Sequence, residues 1–165
     1  MILKIAAFFS FLAFDVVSKV VALRFIPLMA QGSYPYGGVG VFANFLGISF
    51  SLNTVFNSGA AWGLFQGYSG LLFGFRVVVI LSLILYLLFF HRGATPKFPL
   101  WLVVLGAVGN ALDYALYGRV IDLFHFVFWG YSFPVFNLAD AYITLGVLGL
   151  FFFPEKKTAE RPAPP

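Results

Sequence analysis

The chain has 165 residues, of which 61% are hydrophobic, 21% aromatic and only 10% charged; soluble domains carry about 25% charged residues, so this composition excludes an ordinary water-soluble fold and points to a bilayer. The absence of cysteine excludes disulfide staples, a thiol nucleophile and thiolate metal ligands. The net charge of +4 is scattered, and its one basic cluster, Lys156, Lys157 and Arg161 in the tail, suits anionic lipid headgroups and not nucleic acid.

Four stretches meet the requirement of about 20 apolar residues for a helix crossing a bilayer. The first is Ile5–Leu23. Asp15 and Lys19 interrupt it and no small-x-small cleavage site follows at Ala22-Leu23-Arg24, so it reads as a retained helix and not a signal peptide. In the segment after it, Gln31–Gly40 is rich in Gly, Pro and Tyr and predicts turns. Ile48-Ser49-Phe50-Ser51-Leu52-Asn53 alternates with period two and predicts a strand. The second span is Tyr68–Phe90, dense in Val, Ile and Leu, and the third is Pro99–Leu116. Leu123–Tyr131 is almost wholly aromatic or aliphatic and predicts a flap on the membrane interface. The fourth span, Phe136–Phe153, ends at Pro154. None of these runs shows the alternation of a membrane barrel.

The expected fold is therefore an all-α membrane protein of four transmembrane helices, with a small interfacial β-sheet and an outer-face flap. One domain covers residues 1–157, and the polar, proline-rich Thr158–Pro165 is expected to be disordered. Lys4, Arg92, Lys97, Lys156, Lys157 and Arg161 fall on one side, against Arg24 and Arg119 on the other. Positive residues stay inside, which predicts cytoplasmic termini and outward-facing loops at 25–67 and 117–135.

Four of the six acidic residues, Asp15, Asp113, Asp122 and Asp140, lie in or beside these apolar segments. A carboxylate at the bilayer centre costs on the order of 2.5–3.5 kcal/mol on insertion scales, so each needs a partner, a wet cavity or a chemical role. Asp15 and Lys19 are spaced i, i+4 on one helix face, as an ion pair or as a support for the loops or a lipid headgroup. Gly106, Gly109 and Asn110 read as close helix packing with an interhelical hydrogen bond, which leaves the acidity of Asp113 unexplained. Asp122 follows the third span and Asp140 opens the fourth. Antiparallel spans joined by a short loop bring both to one depth, where two carboxyls sharing a site hold one proton. That is the arrangement of an aspartic peptidase; the equally simple alternative is a helix-terminal Asp140 and a solvated Asp122. His125 lies three residues from Asp122, but one His and one Asp do not make a zinc site, and no nucleophile-elbow, Walker or dinucleotide glycine motif is present. Arg76, inside the second span, either snorkels outward or pairs with an acid.

Four blocks in order resemble the lipoprotein signal peptidase (signal peptidase II) family: Asp15-Val16-Val17-Ser18-Lys19; Asn57-Ser58-Gly59-Ala60-Ala61-Trp62; Gly109-Asn110-Ala111-Leu112-Asp113 through Gly118-Arg119-Val120-Ile121-Asp122; and Phe136-Asn137-Leu138-Ala139-Asp140. The resemblance covers nearly the whole chain. Val16, Trp62 and Tyr114 depart from the family's usual Gln, Phe and Arg, the last leaving Asp113 without its usual neighbour; Arg76 is a candidate for the missing charge. The resemblance implies an aspartic endopeptidase of the bacterial inner membrane, with its active site near the outer leaflet and no metal or other cofactor. Asp122 and Asp140 would be catalytic. Asn57, Gly59, Ala60, Asn110, Asp113, Asn137, Asp15 and Lys19 would bind substrate or support the site, and a loop around Ala60–Phe65 would close over it. The implied substrate is a diacylglyceryl prolipoprotein, cut just before its lipidated cysteine; membrane lipid is the other partner and a monomer is expected. The rival expectation is a small four-helix transporter or channel with acids along an ion path.

Overall fold

The computed structural model describes residues 2–58, 69–90 and 97–152. Gly59, Ala60, Trp62, Arg92 and the 158–165 tail lie outside the described residues. The described residues form four α-helices: α1 (Ile2–Phe25), α2 (Ser69–Leu85, continued by a π-turn at Tyr86–Phe90), α3 (Lys97–Tyr117) and α4 (Leu138–Phe152). Three contain segments long and apolar enough to cross a membrane, Ala6–Phe25, Phe73–Phe90 and Lys97–Tyr117. α4 has 15 described residues, about 22 Å at 1.5 Å per residue, short of a hydrocarbon core of about 30 Å. The helices expose Phe9, Phe14, Leu71, Phe75, Leu81, Leu88 and Phe151, side chains that lipid solvates better than water.

The strands are β1 (Val39–Phe45), β2 (Ile48–Asn57), β3 (Val120–Phe128) and β4 (Tyr131–Ser132), antiparallel in the order β1-β2-β3-β4. Two-residue turns close both hairpins. Leu46-Gly47 and Trp129-Gly130 all have positive φ, at 52°, 83°, 49° and 85°, as tight hairpins require. The sheet is more extensive than the single strand signal at 48–53. β1 carried no period-two pattern because its seven residues are all exposed, so neither face selects polar side chains. The aromatic run 123–131 is not a loose flap but a strand, its turn and the start of β4. Phe124, Phe126 and Phe128 alternate onto one face; Phe124 and Phe126 pack against Phe50 and Phe136, the Phe50–Phe126 rings lying 4.3 Å apart, and Phe128 stacks on Phe126.

Two local devices set the position of the sheet against the helix ends. Gly118, at φ 68°, ends α3: its N–H donates to the Tyr114 carbonyl at 2.8 Å, the left-handed cap in which glycine avoids a Cβ clash. The chain then turns directly into β3. Small residues bring the helices together. A Cβ on Gly109 would lie 2.6 Å from Asp15 Oδ2, and one on Gly106 would strike the Ala139 backbone. α1, α3 and the start of α4 therefore meet at one polar level just below β3.

Candidate active site

The N-terminus of α4 organises this level. Asn137 is its cap: Oδ1 accepts from the Asp140 N–H at 2.9 Å, and Asp140 Oδ2 accepts from the Asn137 N–H at 3.3 Å. This reciprocal bonding across three residues is a capping box. Asp15 Oδ1 accepts from the Ala139 N–H at 2.9 Å, so α1 satisfies a further orphan donor of the first turn.

The Asn137 amide group faces the opposite way. Its Nδ2 donates to Asp122 Oδ1 at 2.7 Å, to Asn110 Oδ1 at 3.1 Å and to the Ile121 carbonyl at 3.3 Å. Asn110 Nδ2 donates to Asp140 Oδ1 at 2.8 Å. Asp122 and Asp140 are thus joined through two carboxamides, Asn137 and Asn110. Asn57, the last residue of β2, donates to Asp122 Oδ2 at 3.1 Å. Val55 pairs with Asp122 and Asn57 with Val120 in the sheet register, which sets Asn57 beside the carboxyl.

Asp122 is 2% exposed. Burial, and secondarily the charge of Asp140, push its carboxyl from 3.8 to about 7; hydrogen bonds from Asn57 and Asn137 and the charge of Lys19 oppose the rise. Asp122, Asp140, Asn57 and Asn110 line one cavity of about 620 Å³, with Arg76 from α2, Val120, the segment Phe133–Phe136, and Ala141, Ile143, Thr144 and Leu145 of α4. Two carboxyls sharing a cavity can hold a single proton near neutral pH and so act as acid and base on one water.

Lys19 lies at the back of this site, 1% exposed, with Nζ 2.8 Å from both Asp15 Oδ2 and Asp113 Oδ2 and 3.3 Å from Asn110 Oδ1. The Asp15–Lys19 pair is therefore two members of a triad completed by Asp113. Asp113 takes its charge partner from α1, and its Oδ2 also accepts from the Ile121 N–H at 3.3 Å. Tyr114 stacks on Phe73 of α2 at 4.8 Å, a packing contact in place of a charge. The signal for the triad was electrostatic: α1 and α3 together hold two buried acids and one buried cation, and an unpaired charge in lipid is expensive. His125 stands apart. Residues 122 and 125 of a strand point to opposite faces, and His125 is buried against Tyr36 at 4.7 Å with Nε2 at 2.8 Å from Ser132 Oγ; burial lowers its pKa. Sequence reasoning missed Thr144 as a cavity residue. Its spacing of four from Asp140 was the available signal. Among the described residues, no three His, Asp or Glu side chains form a metal-binding group.

The family model of signal peptidase (SPase) II matches residues 7–153. This chain belongs to the signal peptidase II family. It is similar to the lipoprotein signal peptidase of Chlamydia pneumoniae, at 43% identity over 118 residues, 68% of this chain and 70% of the relative. The lipoprotein signal peptidase of Chlamydia trachomatis serovar D is 38% identical over 150 residues, 87% of each chain; that of Bacillus pumilus is 39% identical over 110 residues, 63% of this chain and 70% of the relative. Two solved bacterial membrane enzymes, determined by the in meso method at 2.3 and 1.9 Å, share the fold with TM-scores of 0.74 and 0.71. They are 24% and 25% identical and cover 92% of this chain, which covers 87% and 92% of theirs. Membership of the signal peptidase II family makes the protein a peptidase, and its apolar helices make it a multi-pass membrane protein.

Proposed function

We propose that the protein removes the signal peptide from diacylglyceryl prolipoproteins, cutting before the lipidated cysteine with Asp122 and Asp140 as an aspartic dyad. The observation that carries this reading is the bonded path Asp122–Asn137–Asn110–Asp140, opening on one cavity. The ionised carboxyl takes a proton from water as its oxygen adds to the scissile carbonyl carbon. The protonated carboxyl donates to the carbonyl oxygen. Collapse of the tetrahedral adduct breaks the C–N bond, and the cysteine nitrogen leaves with a proton from the dyad. Asn57, Asn110 and Asn137 orient the carboxyls.

In this reading α4 serves as a fourth span, both termini are cytoplasmic, and the sheet and cavity lie at the outer leaflet of the bacterial inner membrane. A lipidated substrate reaches that level with its acyl chains still in lipid. The chain acts as a monomer. Residues 60–65, expected to close over the dyad, lie outside the described residues. An ion path suits the residues less well: α2 beyond Arg76 and α4 beyond Asp140 carry no charged side chain. A gel-shift assay with purified protein and a diacylglyceryl prolipoprotein tests the reading. Conversion to the shorter form is expected, and the same substrate without diacylglycerol should be cut poorly; equal cutting of both contradicts lipid dependence.

A further inference from the structure

Arg76 is the single charged residue of Ser69–Phe90. A guanidinium within an apolar span is costly unless it meets a cavity or a partner. It lines the dyad cavity, to which α4 contributes Ala141, Thr144 and Leu145. Thr144 is four residues beyond Asp140 and so shares its helix face. Arg76 is seven residues from the start of α2 and Thr144 six from the start of α4. Both therefore lie about 10 Å along their helices at 1.5 Å per residue. A cation and a hydroxyl thus line one cavity beside the apolar Val135, Phe136 and Ile143. Lys19 serves Asp15 and Asp113 as their cation.

The chemistry of this subsite follows from the substrate and rests on the proposed function. A signal segment crosses the bilayer as a helix, but a peptide bond is attacked only in extended backbone. The substrate helix must therefore end short of the cut. Its last four carbonyls then lack partners, each unsatisfied group costs several kcal/mol in hydrocarbon, and the helix C-terminus carries partial negative charge. We propose that Arg76, with Thr144, caps the C-terminal carbonyls of the substrate's signal helix and so holds the unwound segment at the dyad.

The test is steady-state cleavage of a diacylglyceryl prolipoprotein by wild type, Arg76→Met, Arg76→Lys and Thr144→Val. A contact made equally in ground and transition states raises KM and leaves kcat. Arg76→Met should raise KM about tenfold, the scale of a lost charged hydrogen bond, with the pH profile unmoved. Arg76→Lys should recover part of the loss, and Thr144→Val should raise KM about threefold, near the value of a neutral hydrogen bond. An unchanged KM in both Arg76 variants overturns the proposal, as does a fall in kcat with a shifted pH profile, which would place Arg76 on the dyad. If Arg76→Met does not fold, Arg76→Lys and Thr144→Val decide by the same KM criterion. Failure of wild type to cut the substrate counts against the proposed function itself; cutting by wild type with unaltered variants counts against this subsite alone.

Discussion

Asn137 and Asp140 hold each other at the start of α4: the Asn137 side chain accepts from the Asp140 N–H at 2.9 Å while the Asp140 carboxyl accepts from the Asn137 N–H at 3.3 Å. The bonds that begin the helix also fix the carboxyl and amide of the site. Asn137 Nδ2 then donates to Asp122, Asn110 and the Ile121 carbonyl, so helix capping and dyad assembly use one residue.

These two roles can be separated. Serine and alanine at position 137 both remove the amide donor to Asp122, but serine still caps. Asn137→Ser and Asn137→Ala should lose activity alike, by at least about 100-fold, the lower range of acid–base catalysis. Thermal unfolding in detergent should place the alanine variant about 1 kcal/mol below the serine variant, the value of a cap. Equal stability would show that the capping box contributes nothing.

The shared proton predicts a pH dependence. The carboxyl of Asp122 is raised from 3.8 to about 7 by burial and by Asp140, so the pair loses its proton as pH rises through about 7. kcat/KM should then fall about tenfold per pH unit above that point. The folded chain binds a proton that the unfolded chain releases above 3.8. This contribution to stability is therefore complete below 3.8 and lost as pH rises to about 7. Asp122→Asn should flatten the corresponding part of a melting-temperature profile between pH 4 and 8. An unchanged slope contradicts the assignment.

Lys19 lies 2.8 Å from both Asp15 and Asp113. Lys19→Met leaves two buried acids without a cation and should destabilise by about 3–5 kcal/mol. Adding Asp15→Asn and Asp113→Asn should recover most of that loss, because the three residues act as one network. Melting curves of the single and triple variants check this. Additive losses would mean that the triad is not coupled.

Much of the frame was legible in the sequence, for reasons tied to particular residues. Apolar length located α1, α2 and α3 to within a few residues, because lipid sets a minimum span. The acids were legible because so few charges exist and each is expensive in an apolar chain. Strand β1 was not legible, since its exposed residues are selected on neither face. Phe124, Phe126 and Phe128 hid a strand for a related reason: the intervening residues are apolar or aromatic too, apart from His125, so alternation left little polarity signal. The Lys19–Asp113 pair joins residues from α1 and α3: the scarcity of charge pointed to a pairing, and the fold sets which groups meet. Tyr114 illustrates the same limit. As a departure from a family pattern it implied a missing charge, whereas its ring packs on Phe73 and the charge comes from α1.

The central claim is that Asp122 and Asp140 together cut the substrate. The most direct measurement is single-turnover cleavage of a diacylglyceryl prolipoprotein by wild type, Asp122→Asn and Asp140→Asn, each purified from membranes with matched melting behaviour at pH 6. Each variant, and the double variant, should fall by a similar factor of at least about 10³, because residues acting as one unit are not additive. Wild-type cleavage rates in either single variant would contradict the dyad.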